Sequence, residues 1–532
     1  MTNTDGWFGP PDTGALSAPP GMGPLSGGSS PNRTIFDCLG ATARLHPNRV
    51  ALRDGARMVR FDALFQAVRR LTTCISLAAD RSGPVGILLP FGMSYLAAVF
   101  ACVAAGRPCV LLDAAYPSAR INEIIQSTGI ALLVVEDKTS VSMQATGTIP
   151  HVPANRAFDP TSPAPPTPMV PLDVDAPAYI LCTSGSTGRP RAFVLSQRGL
   201  LHRAWYHYHM SATVDATDDC VACLSSPAAA GGLFTLTAFP VAGVPIQALD
   251  LARDGFRAVL ATLRSGRVTI LRAAPAVLRT LVQLPGAAEA LVRLRNVTTF
   301  GDRMLLSDAA VLRTVLPKTC RVLVTYGSTE APGTGWFAAA GDDHDRARVP
   351  AGRLQPGVEA MIVDDHGAPV PAGEAGELLI RSRYVSLGEW QDGRCVPGCL
   401  LPDPTDPTKR VHRTGDLARQ TADGVLVILG RKDLMVQVNG QRVEPAEIEA
   451  ALLRHPAVKQ AAVVARDEQG SVSLHAFVVM HAAAATVETD KLRASLRQTL
   501  PGFMVPSTLT KLAALPLLPS GKVDAQALIA RH

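Results

Sequence analysis

A loop rich in hydroxyl groups, glycine and arginine is the first part of this sequence that could do chemistry. It runs from Thr183 to Arg191, TSGSTGRPR, and follows an apolar stretch that predicts a strand. Gly185 and Gly188 would let backbone N–H groups approach a phosphate closely. The side chains that would donate hydrogen bonds or supply positive charge are those of Thr183, Ser184, Ser186, Thr187, Arg189 and Arg191. The spacing matches neither a Walker P-loop nor a dinucleotide-binding fingerprint, so the loop alone predicts a site for a polyanion.

Four further polar motifs follow the loop along the chain. They are Tyr326-Gly-Ser-Thr-Glu330, His412-Arg-Thr-Gly-Asp416, Gly430-Arg-Lys-Asp433 and Ser520-Gly-Lys522. Taken singly, each has an ordinary interpretation, such as a turn acid or a solvated cation. Together and in this order they closely resemble the ANL superfamily of adenylate-forming enzymes, from about residue 34 to the end. The segments 111–120 and 500–506 narrow the resemblance to adenylation domains of nonribosomal peptide synthetases.

The resemblance implies an enzyme that joins a carboxylic acid to ATP, releases pyrophosphate and passes the acyl group to a thiol. The loop would hold the β- and γ-phosphates of ATP. Glu330 would hold Mg²⁺, for which a carboxylate oxygen is a suitable ligand. The other residues that the resemblance assigns to the nucleotide are Tyr326 and the Gly301–Asp302 pair at adenine, Thr329 at the α-phosphate, and Asp416 and Arg431 at the ribose.

The resemblance also implies a catalytic lysine and a moving domain. Lys522 would bridge the attacking carboxylate and the α-phosphate while negative charge accumulates. Asp433 would be the hinge about which a small C-terminal domain turns after adenylation. That rotation would withdraw Lys522 and bring Gly440 to the site, where a residue without a side chain leaves room for a pantetheine arm.

The acid-binding pocket departs from the pattern of relatives that activate amino acids. Counting back from Gly243, the Phe-Asp pair of those relatives falls on Ala229 and Ala230. The Asp pairs with the substrate ammonium, and burying that ammonium unpaired is strongly unfavourable. The pocket positions that the resemblance indicates are Ala230, Gly231, Phe234, Phe300, Thr325, Gly333 and Thr334. We therefore expect an acid without an α-ammonium group: an aryl, keto, hydroxy or short acyl acid.

Other departures leave alternatives open. The loop ends in Arg191-Ala192 where Lys-Gly is commonest, and Gln197 and His412 replace the usual His and Tyr. The alternatives are an acyl-CoA ligase that uses coenzyme A, an amino-acid-activating domain with an atypical pocket, and a catalytically faded domain that only binds a nucleotide or a carrier. The peptide-synthetase-like motifs favour a carrier protein as acceptor. We expect that carrier to be a separate protein, because the chain ends ten residues after Lys522.

Short apolar segments that predict strands alternate with helical segments, and these elements must position the motifs. Such an alternation indicates parallel α/β layers. Beyond Gly430, a helix opened by Pro445 and two apolar strands predict a smaller α+β unit. The predicted organisation is a flexible leader at 1–30, an ATP- and acid-binding core at 31–430, and a small C-terminal domain at 431–532 that carries the lysine. The strands and helices predicted most clearly lie at 85–89, 94–105, 110–112, 178–182, 322–325, 425–429 and 474–480.

The composition argues against other classes of protein. Hydrophobic residues make up 47% and charged residues 18% of the chain, which is typical of a globular enzyme. A net charge of +6 over 532 residues, with 5% aromatic residues, gives no basis for nucleic-acid binding. No apolar run reaches the roughly 20 residues of a membrane span. The ten scattered cysteines fit a reducing cytoplasm, the predicted location.

Overall fold

The computed structural model describes most of the chain. The described residues are 33–78, 83–136, 149–159, 173–183, 191–211, 218–302, 304, 306–338, 349–432, 436–468, 471–481, 487–516 and 523–530. The predicted leader, residues 184–190 of the phosphate loop, Asp433 and Lys522 lie outside these ranges. The roles expected of those residues therefore stay predictions.

The first half of the chain alternates strands and helices. Its first elements are α1 (Ile35–Leu45), β1 (Val50–Asp54), β2 (Arg57–Arg60), α2 (Phe61–Leu77), β3 (Val85–Leu89), α3 (Met93–Ala104), β4 (Cys109–Asp113), α4 (Ser118–Thr128), β5 (Leu132–Val135), β6 (His151–Pro153), β7 (Pro177–Thr183), β8 (Arg191–Ser196) and α5 (Gln197–Ser211). The next are β9 (Val221–Cys223), α6 (Ala230–Val241), β10 (Ile246–Gln247), α7 (Leu251–Arg264), β11 (Ile270–Ala273), α8 (Pro275–Val282), α9 (Ala287–Leu291), β12 (Asn296–Thr299), α10 (Leu306–Val315), β13 (Arg321–Tyr326) and β14 (Thr334–Phe337).

Strands dominate the following segment, and helices return near the end of the chain. The strand-rich segment contains β15 (Arg353–Leu354), β16 (Glu359–Val363), β17 (Gly376–Ser382), β18 (Gly388–Gln391), β19 (Arg394–Val396), β20 (Leu400–Pro402), β21 (Arg410–Gln420) and β22 (Leu426–Arg431). The last elements are β23 (Val436–Val438), β24 (Gln441–Val443), α11 (Pro445–Leu453), β25 (Val458–Glu468), β26 (Ser471–Met480), α12 (Thr489–Thr499), β27 (Thr508–Lys511) and α13 (Ala525–Ile529).

Three sheets build the large N-terminal domain. One has the strand order β19-β18-β8-β7-β4-β3-β5-β6, and another has the order β15-β14-β13-β12-β11-β9-β10-β1-β2. The central strands of both are parallel, whereas β8, β14 and other strands toward the edges pair antiparallel. The third sheet, β16-β17-β21-β20 with β22 beside β21, is antiparallel where its strands pair.

The small C-terminal domain consists of the β23–β24 hairpin and the sheet β25-β26-β27, with α11 and α12 packed beside them. The predicted α/β class, with a large N-terminal and a small C-terminal domain, is therefore confirmed. The predicted boundary after Gly430 falls within β22 and stays a prediction. In the part of the chain that the structure describes, no helix combines the length and apolar character that a membrane span requires.

The predicted alternation is confirmed at its clearest points, which are β3, α3, β4, β7, β13, β22 and β26. The residues of β3, β4 and β13 are buried almost without interruption, as expected for parallel strands covered by helices on both faces. The parallel strands β11, β12 and β13 run side by side, so their carboxyl ends share one edge of the sheet. Ligands of open α/β sheets bind outside such an edge, and two predicted site segments, 300–302 after β12 and 325–330 at the end of β13, begin there.

Helix α5 buries a histidine that should make the protein sensitive to acid. The Nε2–H group of His202 donates to the carbonyl of Pro356 over 2.6 Å, and its ring stacks on Tyr384 at 3.8 Å between centroids. Burial, with a smaller contribution from the charge of Arg203, lowers the pKa of His202 from 6.5 to about 4. The unfolded chain thus binds a proton below about pH 6.5, whereas the folded chain binds it only near pH 4. The contribution of neutral His202 to the free energy of unfolding is complete above pH 6.5 and is lost as the pH falls toward 4.

We expect about 2 kcal/mol of the free energy of unfolding to be lost through His202 between pH 6.5 and pH 5. Urea unfolding at both pH values would show a smaller loss for His202→Gln, because its neutral amide still donates to Pro356 but does not titrate. His366→Gln, at an exposed position, is the matched control and should keep the full loss. An equal pH dependence in wild type and His202→Gln would contradict this account.

Candidate functional site

A cleft of about 800 Å³ opens at the carboxyl edge of β11–β13 and is lined by both domains. Its walls include residues of the predicted nucleotide and acid sites, together with the β23–β24 turn of the small domain. The lining residues that the sequence predicted are Thr183, Arg191, Ala230, Gly231, Phe234, Phe300, Gly301, Asp302, Thr325, Tyr326, Thr329, Glu330, Gly333, Asp416 and Gly440. Residues far apart in sequence thus meet in one cavity.

The predicted adenine and ribose residues lie next to one another. The phenol of Tyr326, at the end of β13, donates to Oδ2 of Asp416 over 2.6 Å. Asp416 is the cross-strand partner of Arg431 on β22. Gly301 follows β12 and has a positive φ of 81°, a conformation that glycine adopts at little cost. A planar ring against Tyr326 and two hydroxyls near Asp416 would fit this arrangement.

Hydrogen bonds from Arg203 and Ser386 hold the turn that carries Thr329 and Glu330. Arg203 of α5 donates through Nη1 to the Ser328 carbonyl over 2.8 Å and through Nη2 to the Thr329 carbonyl over 3.3 Å. The hydroxyl of Ser386 donates to the Thr329 carbonyl over 3.0 Å. The Glu330 side chain lines the cleft, and the residue is 1% exposed. A buried carboxylate oxygen at this position is the kind of donor that Mg²⁺ requires.

The phosphate loop is described only at its two ends. Thr183 and Arg191 are antiparallel partners on β7 and β8. Nη2 of Arg191 donates to Oε1 of Glu389 over 2.6 Å, and the backbone N–H of Cys399 donates to the same oxygen over 2.9 Å. Burial acts to lower the pKa of Arg191, and the Glu389 carboxylate more than offsets this and raises it. Arg191 is therefore a permanent cation held at the cleft by an acid that the sequence did not indicate.

The predicted acid pocket forms around the start of α6. Ala230 is the first residue of this helix, and Gly231 contacts the ring of Phe300 so closely that a Cβ atom at Gly231 would lie 2.1 Å from it. The guanidinium of Arg203 lies 4.6 Å from the centroid of Phe234. The hydroxyl of Thr325 donates to the Thr299 carbonyl over 3.1 Å at the pocket wall.

Two further predicted pocket residues, Gly333 and Thr334, contact the backbone around the cleft. Gly333 packs against the backbone of Tyr326, where a Cβ atom would lie 2.0 Å from the carbonyl oxygen. Thr334 is fully buried and donates to the Ala351 carbonyl over 2.6 Å. Thr334 is absent from the residues that line the cleft in the described part of the chain. Its position behind the wall suits a packing role.

Two arginines of the pocket were missed at the sequence level. Arg203 and Arg272 are 3% and 1% exposed, and both line the cleft. Arg272 is the single charged residue in the apolar stretch 268–274 that forms β11. A lone arginine at the carboxyl end of a buried parallel strand is a signal that could have indicated it.

The turn between β23 and β24 brings the small domain to the cleft. Asn439 and Gly440 both have positive φ, at 49° and 77°, as a tight hairpin turn requires. A Cβ atom on Gly301 would lie 2.6 Å from the Gly440 carbonyl oxygen, and one on Gly440 would lie 2.7 Å from Cβ of Ala274. Gly440 thus lies directly against the predicted adenine and acid sites, where the resemblance expects it after the domain has turned.

A buried ion pair joins the domains in this arrangement. Nη1 of Arg120, on α4, donates to Oε1 of Glu447 on α11 over 2.6 Å and to Oε2 of Glu123 over 2.9 Å. The side chains of Arg120 and Glu447 are 6% and 0% exposed. Arg120 belongs to the segment 111–120 that narrowed the resemblance, and its partner was not predicted.

One of the departures noted in the sequence has a structural explanation. Gln197, at the start of α5, is buried and accepts a hydrogen bond over 2.9 Å from the backbone N–H of Ile35. It therefore fastens the first helix of the chain to the domain. His412 is also buried and lines the cleft from β21, between Ile380 and Leu400 on the neighbouring strands.

Comparison with known proteins identifies the family. Residues 39–390 match the model of the AMP-binding enzymes, and residues 447–522 match that of the AMP-binding enzyme C-terminal domain. Phosphinothricin tripeptide synthetase PhsC from Streptomyces viridochromogenes is 32% identical over 520 residues, which cover 93% of this chain and 45% of that protein. The chain spans less than half of the length of this and several other curated relatives.

Solved structures share the fold. The artificially fused adenylation–PCP protein NpsA-ThdA from Klebsiella oxytoca superposes with a TM-score of 0.79 at 22% identity, covering 90% of this chain and 93% of that one. An o-succinylbenzoate CoA synthetase from Bacillus subtilis gives a TM-score of 0.76 at 21% identity, covering 94% and 99%. The two matched domains cover most of the chain, and the motifs and the cleft agree with them: this chain belongs to the AMP-binding enzymes, the adenylate-forming ligases of the ANL superfamily.

Proposed function

We propose that this enzyme activates a small carboxylic acid without an α-ammonium group as its acyl-adenylate and transfers the acyl group to the phosphopantetheine thiol of a carrier protein. The observation that carries the choice of acid is the environment of Ala230. The side chain at this position cannot accept a hydrogen bond or balance a positive charge. The ammonium group of an amino acid would therefore find no carboxylate at residue 230 with which to pair.

The charges around the pocket support the same choice. Arg203 lies over Phe234, and Arg272 lies 5.4 Å from the centroid of Phe300, so two buried cations border the pocket. Ala230 also lies at the amino end of α6, where the helix dipole is positive. These groups repel an ammonium and attract an anion or a hydrogen-bond acceptor.

The pocket walls favour a short substrate. The ring of Phe300 lies against Gly231, and Phe234 stacks with His207 at 6.0 Å between centroids. Burial lowers the pKa of His207 well below its usual value, with further lowering by the two arginines, so this imidazole stays neutral. Aromatic rings thus occupy part of the space beside α6, which suits an aryl or a short acyl chain.

The residues of the cleft would divide the work of adenylation. Tyr326 and Asp416 would hold the adenosine, and Thr329 would orient the α-phosphate for in-line attack by the carboxylate. Lys522 would neutralise the charge that develops between the attacking oxygen and the α-phosphate. Mg²⁺, when bound through Glu330, would neutralise phosphate charge.

A carrier protein is the proposed acceptor because the chain resembles adenylation domains that act with carriers. NpsA-ThdA is described as an adenylation–PCP di-domain, whereas the o-succinylbenzoate enzyme is described as a CoA synthetase. The Gly440 turn at the cleft would admit the pantetheine arm that both kinds of acceptor carry. Transfer from isolated acyl-adenylate to a phosphopantetheinylated carrier and to coenzyme A would distinguish the two.

ATP–pyrophosphate exchange across a panel of proteinogenic amino acids, aryl acids, keto acids, hydroxy acids and short aliphatic acids tests the proposal. We expect exchange with one of the acids that lack an ammonium and no exchange with amino acids. Exchange with an ordinary amino acid would contradict the argument from Ala230 and leave the ligase activity intact. ATP binding without exchange of any acid would indicate a catalytically faded domain.

A further inference from the structure

Arg272 is a buried cation at the end of a central strand. It lies between Cys223 on β9 and Thr298 on β12 in the sheet. Leu271 and Ala273 pack in the apolar cluster on one face of the sheet, whereas Ile270 packs in the cluster on the other face. Because side chains alternate along a strand, Arg272 shares the face of Ile270, toward α5 and α6.

The contacts of Arg272 leave part of its guanidinium unsatisfied. Nε donates to the hydroxyl of Thr235 over 3.0 Å, and Nη2 lies 3.4 Å from Nδ1 of His207. The rings of Phe239 and Phe300 lie 5.8 and 5.4 Å from its central carbon. Nη1 is buried and has no hydrogen-bond partner among the described residues. A guanidinium in such surroundings is costly unless an anion completes its bonds.

The described groups around Arg272 do not supply that anion. Burial lowers the pKa of Arg272 to about 10, and the Cys223 thiol is the group that opposes this effect. Arg272 is therefore still protonated at neutral pH. Its neighbours Arg203 and His207 are basic, and Glu330 acts on Arg203, which also binds the carbonyls of the nucleotide turn.

The position of Arg272 in the pocket indicates that the substrate supplies the missing anion. Thr235 and Phe239 lie in the second and third turns of α6, beyond Ala230, whereas Thr329 and Glu330 belong to the turn where the reacting carboxylate would bind. Arg272 therefore lies at the α6 wall of the cleft, beside Thr235 and Phe239. A substrate that reached it would need an anionic group separate from the one that is activated.

We propose that Arg272 determines specificity by binding a second carboxylate of the substrate, so that the enzyme activates one end of a short dicarboxylic acid. This inference rests on the proposed function and narrows its class of acid. A planar guanidinium binds a carboxylate through two hydrogen bonds, and Arg272 keeps Nη1 available for one of them. The carboxylate would also compensate the positive charge that Arg203 and Arg272 share.

Pyrophosphate exchange with matched pairs of acids tests this role. Glutaric acid is compared with pentanoic acid and with monomethyl glutarate, and isophthalic acid with 3-methylbenzoic acid. We expect the wild-type enzyme to use at least one diacid about 100-fold better in kcat/KM than its matched monoacid, a ratio typical of a buried charge pair. Arg272→Leu should abolish this preference and raise activity toward the monoacid, while Arg272→Lys should restore part of the preference.

The controls separate specificity from damage to the fold. Arg253→Gln changes an exposed arginine on α7 that pairs with Asp254 and should leave the preference unchanged. The KM for ATP and the melting temperature report whether Arg272→Leu still folds and binds nucleotide. A gain of monoacid activity in Arg272→Leu would support the proposal, because a structural defect cannot produce it.

Several results would overturn the inference. If wild type uses monoacids as well as diacids, or if Arg272→Leu lowers the activity toward all acids equally, Arg272 does not select a second carboxylate. Exchange with monoacids alone would leave the proposed activation of ammonium-free acids standing. Exchange with amino acids, or with nothing at all, would overturn both proposals together.

Discussion

Lys522→Ala should lower acid-dependent ATP–pyrophosphate exchange by about 100- to 1,000-fold, the usual effect of removing one preorganised charge or donor from a transition state. The physical reason is that two negatively charged groups, the acid and the α-phosphate, must approach each other during the first half-reaction. The second half-reaction, thiol attack on the adenylate, does not bring those two anions together. We therefore expect transfer from preformed adenylate to a thiol to change by less than about tenfold.

The measurement compares both half-reactions in wild type, Lys522→Ala and Lys459→Ala. Lys459 is an exposed lysine at the start of β25 and serves as the matched control. If Lys522→Ala lost both half-reactions to the same degree, the lysine would act throughout catalysis, and the predicted rotation about Asp433 would have no support.

Glu447→Gln should have the opposite effect, a loss of thiol transfer of about tenfold or more with adenylation retained. The Arg120–Glu447 pair lies between the domains while Gly440 lies at the cleft, so it stabilises this arrangement. Removing one partner of a buried pair costs up to about 3–5 kcal/mol when the remaining charge is left unpaired, and the bond from Arg120 to Glu123 reduces this cost here. Such a cost would shift the domains away from the arrangement that presents Gly440.

Asp490→Asn is the matched control for Glu447→Gln. It removes one acidic charge from an exposed pair with Arg493 in the same domain and should leave both half-reactions unchanged. Single-turnover transfer from acyl-adenylate, beside pyrophosphate exchange, measures the two steps separately. Equal rates of transfer in Glu447→Gln and wild type would show that the ion pair does not control the position of the domain.

The resemblance could assign a nucleotide site to particular residues because such a site depends on short motifs. The Tyr326–Glu330 and His412–Asp416 motifs each lie on one strand or turn, and the structure brings Tyr326 into hydrogen-bonding contact with Asp416. The parallel strands were also predictable, because helices cover both faces of the sheets and leave apolar runs such as Val85–Leu89. The roles of Lys522, Asp433 and residues 184–188 remain predictions from the sequence.

Tertiary structure decided the contacts between parts of the chain that no local pattern connects. Arg120 and Glu447 are 327 positions apart, and Gln197 binds the backbone of a helix 162 positions away. The sequence determined which strands and motifs form, because they depend on hydrophobic alternation and on neighbours a few residues apart. Packing alone determined that Arg272 is buried beside Phe300, with Nη1 unpartnered among the described residues. The surroundings of Arg272 come from helices and strands that meet only in the folded chain.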